Sequence, residues 1–305
     1  GSGWREVVPR YEGGGVDERF LHKPTRIRHR RPPQRGVARR THQPDYQTMT
    51  TPRHLVWFSC GAASAVAAVL ACKKYPSAEV LYCDTLAYEH PDNQRFLTDI
   101  EQLIGRPIKV LKSAKYTDIY DVFERTGWLV GPSGARCTLE LKKKVRRDYQ
   151  RDGDIHIFGL TSDEDSRIQR FEAQNPTLEL EWILDENGIT KTDCYRMLQE
   201  LGIELPAMYK IGYNNNNCVG CVKGQMGYWN KIRSDFPETF ERMAKMERKL
   251  DVAICKSYAG DGLRKRVFLD ELDPTTGRDV PMPDIECGVL CINPLDEPTN
   301  PNTKP

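Results

Sequence analysis

The sequence predicts an α/β fold in which a twisted parallel sheet is flanked by helices. Short apolar runs at residues 54–58, 79–83, 108–111 and 155–160 are typical of strands, and helical patterns separate them. Such alternation favours a parallel sheet covered on both faces. Right-handed crossovers place the carboxyl ends of its strands on one edge, and ligands of such sheets bind at that edge.

The helices are predicted from apolar residues that recur at helical spacing. They span residues 63–74, 91–104, 119–125, 139–149, 192–201 and 237–250. Gly105 ends the second of them, and Ser234 or Asp235 is predicted to cap the last.

Changes in composition divide the chain of 305 residues. Residues 1–48 are predicted to be a disordered extension or a remnant of protein expression, because Gly1–Gly3 resembles a cleaved tag and no apolar period follows. Residues 49–175 form the α/β domain, 176–293 a helical, cysteine-containing C-terminal part, and 294–305 a disordered tail. Seven arginines between Arg26 and Arg40 suit either a nucleic-acid-binding arm or an extension without a role.

The bulk composition argues against a membrane span and gives no support for a nucleic-acid partner. A net charge of +2 does not argue for nucleic acid, and no apolar run reaches the roughly 18 residues that a membrane span needs. Nothing in the sequence specifies a protein partner or a homodimer, although neither is excluded. Close cysteine pairs rather than a signal-led disulfide framework indicate a reducing compartment, so we expect a cytoplasmic protein.

Four segments are expected to follow strands and to meet at one edge, and the last of them is residues 205–213, just before Cys218. The other three are polar. The first is a turn of small residues leading into a helix, whose backbone N–H groups suit a phosphate. The others combine acidic and hydroxyl groups with arginines suited to bidentate phosphate contacts. The candidate nucleotide-binding residues are Ser59, Cys60, Gly61, Ala62, Ala63, Ser64, Asp84, Thr85, Gly159, Arg167 and Arg170. Helix capping and a solvated charged loop are the structural alternatives.

The order of these segments resembles the phosphoadenylyl-sulfate (PAPS) reductase-like branch of the adenine-nucleotide alpha-hydrolase superfamily, also described as PP-loop ATP pyrophosphatases. Members of that group carry four motifs in a fixed order along the chain. These are S-G-G-K-D-S, D-T-G, G-x-R-x-x-E-S-x-x-R and P-L-Y-x-x-G-Y-x-x-x-G-C-x-x-C. Here the corresponding stretches begin at Ser59, Asp84, Gly159 and Pro206, and Trp182 matches a tryptophan segment between the last two. The resemblance implies a HUP-like fold that binds ATP or a related adenine nucleotide, with Mg²⁺. Divergent proteins of this type also occur in phages and beside type IV CRISPR systems.

This sequence departs from the family pattern in the phosphate loop. Ala62 and Ala63 stand where the family has Lys and Asp, and Leu86 replaces the usual Gly. Losing those charges removes contacts to phosphate or Mg²⁺. Turnover is therefore in question, and Ser64 and Arg167 are the remaining catalytic candidates.

The cysteines support three interpretations. Cys218 and Cys221 form a C-x-x-C, and Cys287 and Cys291 a C-x-x-x-C. The resemblance adds Cys137, which precedes a basic helix as in iron–sulfur reductases, and favours a [4Fe–4S] cluster over Zn²⁺. A Cys₄ zinc site and buried free thiols are the alternatives. The remaining cysteines, at 60, 72, 83, 194 and 255, are expected to pack as small hydrophobic residues.

The resemblance leaves three functions open. The favoured one is hydrolysis of ATP between its α and β phosphates, to AMP and pyrophosphate, with or without an acceptor. The second is a sulfonucleotide reductase in which Cys287, within Glu286-Cys287-Gly288, is the nucleophile. The third is a nucleotide-binding accessory protein without turnover.

Overall fold

A computed structural model of the chain describes residues 51–131, 134–258, 264–281 and 285. In chain order its strands are β1 (His54–Phe58), β2 (Glu79–Cys83), β3 (Lys109–Leu111), β4 (Val130–Gly131), β5 (Gly134–Ala135), β6 (Ile155–Phe158), β7 (Glu179–Glu181), β8 (Cys255–Tyr258) and β9 (Arg264–Val267). Its α-helices are α1 (Ala62–Lys74), α2 (Asn93–Ile104), α3 (Ile119–Thr126), α4 (Arg136–Thr138), α5 (Lys144–Tyr149), α6 (Asp165–Gln174), α7 (Ile183–Glu186), α8 (Lys191–Glu200), α9 (Ala207–Lys210), α10 (Met226–Asp235) and α11 (Pro237–Leu250). Leu86–Tyr88 and Leu269–Glu271 form 3₁₀ turns, and Leu139–Lys143 is a π-helical turn that joins α4 to α5.

Five parallel strands form the central sheet in the order β3-β2-β1-β6-β7. This confirms the predicted α/β class. The chain builds outward from β1 to β3 and then returns to the other side of β1 with β6. The direction of winding therefore reverses between β1 and β6, which is where open parallel sheets have a crevice for ligands.

Helices cover both faces of the sheet because its central strands are apolar on both sides. Val56 and Phe58 pack with α1, α2 and α8 in one core. Leu55 and Trp57, which point to the opposite face, pack with residues of α5 and α6 in a second core. Strands buried on both faces read as continuous apolar runs, which is why the sequence identified β1 and β2 at their observed bounds.

A third core lies beside the sheet and joins α3 to α10 and α11. Trp229 is fully buried at its centre, and Phe123 and Met243 pack in the same cluster. A buried carboxylate belongs to this region: Glu247 accepts hydrogen bonds from the backbone N–H groups of Ile254 and Leu269, both at 2.6 Å. These bonds connect α11 to β8 and to the 3₁₀ turn at Leu269–Glu271.

The predicted caps of α11 were wrong. Ser234 and Asp235 belong to the end of α10, and Phe236 is the residue that precedes α11. The sequence had not indicated α10, because its apolar residues do not form a clear helical stripe. Pro237 does occupy the first position of α11, where its missing N–H has no intrahelical partner.

Other elements were predicted with small differences in their bounds. The predicted helix 139–149 is the α4–π–α5 segment, which starts three residues earlier. A solvated charged loop was the structural alternative for the segment around Arg167, but residues 165–174 form helix α6; neither α6 nor strand β7 was predicted. Both β7 and α8 lie after residue 175 and belong to the sheet and its first core. The division into domains at 175/176 stays a prediction.

Cys60, Cys72, Cys83, Cys194 and Cys255 are buried among hydrophobic residues, as expected. Within the described residues no helix is long and apolar enough to cross a membrane. The predicted extension 1–48 and tail 294–305 lie outside the described residues.

Candidate functional site

A cavity of about 250 Å³ opens where β1 and β6 end, at the reversal point of the sheet. Ligand pockets are commonly about 300–1,000 Å³, so this cavity is near the lower end of that range. Its wall combines segments that are far apart in the sequence. The lining residues used below are Ser59, Gly61, Ala62, Ala63, Ser64, Lys142, Gly159, Asp163, Glu164, Arg167, Lys191, Tyr209, Asn216, Asn217 and Ile285.

The turn between β1 and α1 forms one side of the cavity. Ser64 Oγ holds this turn together, because it accepts a hydrogen bond from the Ser59 N–H at 3.0 Å and donates to the Gly61 carbonyl at 2.9 Å. Cys60 has a left-handed backbone with φ of 55°, which is uncommon for a residue other than glycine. Gly61, the residue before α1, has no side chain to cap the helix. Ala63 and Ser64 in its first turn line the cavity, and backbone N–H groups of a first turn are donors suited to an anion.

Gly159 allows β6 to end directly against this turn. A Cβ atom at Gly159 would lie 2.5 Å from the backbone nitrogen of Ser64 and 2.8 Å from the carbonyl carbon of Ala63. These are backbone atoms, which a change of rotamer cannot move. Any other residue at 159 would force β6 away from α1 and change the shape of the cavity.

Arg167 reaches the cavity from the first turns of α6. It forms an ion pair with Glu164, whose other carboxylate oxygen accepts the N–H and hydroxyl of Thr161 at 3.0 and 2.9 Å. The carboxylate is therefore engaged with its own loop and orients the guanidinium beside the cavity. A guanidinium held in this way is suited to a phosphate oxygen.

Two lysines bring further positive charge to the wall. Lys142 comes from the π-helical turn, and Lys191 from the start of α8. Burial raises the pKa of the Cys83 thiol to about 12, although the nearby Lys142 acts in the opposite direction. With Arg167 the described wall carries three cations, against the carboxylates of Asp163 and Glu164. Its formal charge is therefore +1, and a phosphate is favoured over a neutral ligand.

Tyr209 closes the cavity over the α1 terminus. Its hydroxyl oxygen accepts the backbone N–H of Ala62 at 3.3 Å. Burial raises the pKa of Tyr209 above its usual value, while hydrogen bonds from the backbones of Ala62 and Asn216 oppose that shift. The phenol is therefore neutral at pH 7 and keeps a proton that it can donate to an anion beside Ala62.

Four predicted nucleotide-binding residues do not line the cavity. Cys60 is fully buried and packs in the first core of the sheet. Asp84 lies at the same edge of the sheet, but its carboxylate pairs with Lys112 at 3.2 Å. Thr85 is buried and bonds to Glu89. Arg170 is exposed, and its Nε donates to the carbonyl of Ser166, one turn before it on α6. The cavity is therefore built by the loops after β1 and β6 rather than by the loop after β2.

The C-x-x-C turn lies beside the cavity and is buried. The Tyr228 hydroxyl accepts the Cys221 N–H at 2.9 Å and donates to the Cys218 carbonyl at 3.3 Å. The Val219 N–H donates to the Tyr88 carbonyl at 2.8 Å. Cys137 is half-buried at the edge of the same hydrophobic core as Cys221.

These cysteines do not complete a metal site by themselves. Within the part of the chain that is described, no three His, Cys, Asp or Glu side chains are grouped so that they could hold a metal ion. Cys287 and Cys291, the other predicted ligands, lie outside the described residues. A Cys₄ zinc site or a [4Fe–4S] cluster takes four thiolates, so the described residues alone do not form either site.

The sequence-based site prediction did not include several residues of the cavity wall. Lys142 stands in a conspicuous run of three lysines, and Asn216 in a run of four asparagines, so both carried a compositional signal. Lys191 carried none, because no motif in the sequence distinguishes it from the other lysines of the chain. Only the packing of α8 against α1 brings it to the cavity.

No family model and no curated protein matches this chain. Among solved structures, the U34-tRNA thiolase NcsA from Methanococcus maripaludis with its [4Fe–4S] cluster is similar to 66% of this chain. The similarity covers 72% of that protein at 12% identity, with a TM-score of 0.36. A likeness this distant assigns neither a fold nor a function to the chain.

Proposed function

We propose that this chain binds an adenine nucleotide, with its phosphates at the α1 terminus, and hydrolyses ATP between the α and β phosphates. The proposal places it in the PAPS reductase-like branch of the adenine-nucleotide alpha-hydrolase superfamily. One observation carries the proposal: a cavity at the reversal point of the sheet combines the start of α1, whose N-cap residue Gly61 has no side chain, with Lys142, Arg167 and Lys191. The choice of adenine rests on the sequence motifs.

The cavity offers a replacement for the charges that the phosphate loop lacks. Ala62 and Ala63 supply only backbone N–H groups, whereas Lys142 and Arg167 enter from other elements. In the proposed reaction a water oxygen attacks the α phosphorus, and the bond from that phosphorus to the bridging oxygen breaks. AMP and pyrophosphate leave, and the cations offset the negative charge that develops on the leaving oxygen.

The residues have separate proposed roles. The backbone of residues 59–64 cradles the phosphates, Ser64 keeps that turn in shape, and Arg167 contacts the phosphate that becomes pyrophosphate. Mg²⁺ would neutralise the leaving group when bound. A [4Fe–4S] cluster would be structural or redox-active, and its assignment depends on Cys287 and Cys291.

The matched pair Arg167 and Arg170 tests the proposal. Both lie on α6, one turn apart, but only Arg167 lines the cavity. Hydrogen bonds to charged groups contribute about 1.5–3 kcal/mol, so Arg167→Gln is expected to weaken ATP binding about 10- to 150-fold. Arg170→Gln is expected to bind like the native chain. Titration calorimetry measures the affinities, and chromatography of the products distinguishes AMP with pyrophosphate from ADP with phosphate.

The outcomes separate the three candidate functions. AMP and pyrophosphate support hydrolysis, whereas nucleotide binding without products supports the accessory role. The reductase is favoured if PAPS and reduced thioredoxin yield sulfite and Cys287→Ser abolishes it, since two electrons pass from the dithiol to the sulfonate sulfur. Ile285, two residues before Cys287, lines the cavity, which motivates this second assay. Equal ATP affinities of the Arg167 and Arg170 variants would contradict the proposed site.

A further inference from the structure

The two carboxylates in the described wall of the cavity have different surroundings. Both oxygens of Glu164 are occupied, because one pairs with Arg167 and the other accepts the backbone N–H and the hydroxyl of Thr161. Asp163 precedes it in the loop between β6 and α6 and is exposed. Among the described residues the Asp163 carboxylate accepts no hydrogen bond and forms no ion pair. It is therefore the carboxylate of the described wall that is available to a ligand.

Asp163 belongs to the part of the wall that we assign to the phosphates. Its loop begins at Gly159, where β6 lies so close to the turn between β1 and α1 that a Cβ atom would be 2.5 Å from Ser64 N. The same loop leads into α6, on which Arg167 is the proposed phosphate contact. Along the chain the carboxylate thus stands between two parts of the wall that suit an anion.

A carboxylate beside bound phosphates opposes their binding unless a cation lies between them. Both groups carry negative charge, so they repel each other. A divalent cation reverses this effect, because it binds carboxylate and phosphate oxygens together. Mg²⁺ suits this arrangement, since proteins usually hold it through one or two carboxylates, substrate phosphates and several waters.

The residues present fit a cation that binds together with the nucleotide. Ala63 stands where the resembled family has an aspartate, so the turn between β1 and α1 supplies no carboxylate of its own. Over the ranges that the structure describes, no three His, Cys, Asp or Glu side chains are grouped so that they could hold a metal ion. One carboxylate that acts with phosphate oxygens and water is consistent with both observations.

We infer that Asp163 is the metal-binding residue of the cavity and holds Mg²⁺ against the phosphates of the bound nucleotide. The inference rests on the proposed nucleotide site and extends it. The loop after β6 would then supply the carboxylate that the loop after β1 lacks at Ala63. Mg²⁺ and the nucleotide are expected to strengthen each other's binding.

A nucleotide that cannot be cleaved at the proposed bond tests this cooperation. α,β-Methylene-ATP keeps the phosphates of ATP, but carbon replaces the bridging oxygen that the proposed reaction releases. Titration calorimetry measures its affinity for the native chain with Mg²⁺ and with EDTA, and Mg²⁺ should tighten binding about tenfold or more. Equal affinities under the two conditions would overturn the inference and leave the nucleotide site intact, whereas no binding under either condition would overturn both.

The variant Asp163→Asn assigns the effect of Mg²⁺ to this side chain. Loss of an outer-shell partner already costs about tenfold in metal affinity, so loss of the carboxylate should reduce the enhancement by Mg²⁺ about tenfold or more. With EDTA the variant should bind the nucleotide about 1.5- to 5-fold more tightly than the native chain, because the repulsion of the phosphates is gone. A merely structural role would not change the two affinities in opposite directions.

Asp165→Asn is the matched control, since it removes a carboxylate two residues further on. Asp165 accepts a hydrogen bond from Gln169 and does not line the cavity, so this variant should keep the native enhancement by Mg²⁺. Thermal unfolding checks that both variants fold, and Asp163→Ser, with the same expected result, replaces an asparagine variant that does not. Native enhancement in a folded Asp163 variant would overturn the inference.

Discussion

Gly159 packs so closely against the first turn of α1 that no side chain fits there. In Gly159→Ala the new Cβ atom would lie 2.5 Å from Ser64 N and 2.6 Å from Ser64 Cα, whereas ordinary contacts begin near 3.4 Å. Overpacking of a rigid site costs about 1–3 kcal/mol. Both contacted atoms belong to the backbone of a buried helix, so we expect a loss of about 3 kcal/mol, or a roughly 100-fold larger unfolded fraction.

Gly61 provides the matched control in the same turn. A Cβ atom there would make ordinary contacts, the nearest at 3.4 Å from the Tyr209 hydroxyl, and its φ of −93° suits any residue. Alanine stabilises a compatible glycine position but is a poorer residue than glycine before a helix. These effects oppose each other, so Gly61→Ala should change the free energy of unfolding by less than about 1 kcal/mol.

Urea denaturation distinguishes the two variants. With a slope of about 3 kcal/mol/M, the Gly159→Ala midpoint should fall by about 1 M, and that of Gly61→Ala by far less. If the proposed site is right, nucleotide affinity should fall with Gly159→Ala as well, because the backbone amides of the turn are displaced from the proposed phosphate position. A Gly159→Ala midpoint equal to the native one would refute the steric argument.

Two further predictions concern stability away from the cavity. Burial raises the pKa of Glu247 to about 7, although backbone hydrogen bonds from Ile254 and Leu269 oppose the shift. Because the pKa of Glu247 is higher in the folded than in the unfolded chain, the stability that this group contributes is present below about pH 4.5 and is lost as the pH rises through 7. Urea unfolding across that range should show a free energy of unfolding that falls with pH in the native chain but not in Glu247→Gln. Thr190 caps α8 through a reciprocal pair of hydrogen bonds with Asp193, so Thr190→Ala should cost about 1 kcal/mol, measured by thermal unfolding.

The controls for these predictions lie on the same elements. Glu241→Gln changes an exposed carboxylate on α11, and it should keep the pH slope of the native chain. Thr192→Ala changes an exposed threonine of α8, and it should unfold at nearly the native temperature. Identical pH profiles for native and Glu247→Gln chains would contradict the first prediction. An equal effect of the two threonine substitutions would contradict the second.

Local sequence patterns were sufficient to predict most strands of the sheet and most of its helices. The apolar runs of β1 and β2 are buried on both faces, so their bounds follow from composition alone. Helix α11 was found because its apolar residues recur at helical spacing after Pro237. Helix α10 and strand β7 escaped notice, because one lacks a clear stripe and the other is a three-residue edge strand.

The sequence predicted those residues of the candidate site that directly follow a predicted strand. The turn at residues 59–64, Gly159 and Arg167 could be identified because small residues and an arginine follow predicted strands. Asp84 followed a strand too, but its carboxylate pairs with Lys112 outside the cavity wall. A strand end specifies an edge of the sheet, whereas side-chain direction depends on neighbours that a local pattern does not contain.

The amino-acid sequence by itself determined the class of fold, and it predicted the edge of the sheet and the turn at which we propose that a phosphate binds. These properties follow from periodicity and from the handedness of crossovers, which act over short stretches of chain. Only the tertiary structure decided that Lys142 and Lys191 bring positive charge to the cavity wall and that Asn216 is part of that wall. Such residues meet through the packing of distant elements, and the orientation of an amide depends on partners up to 156 positions away.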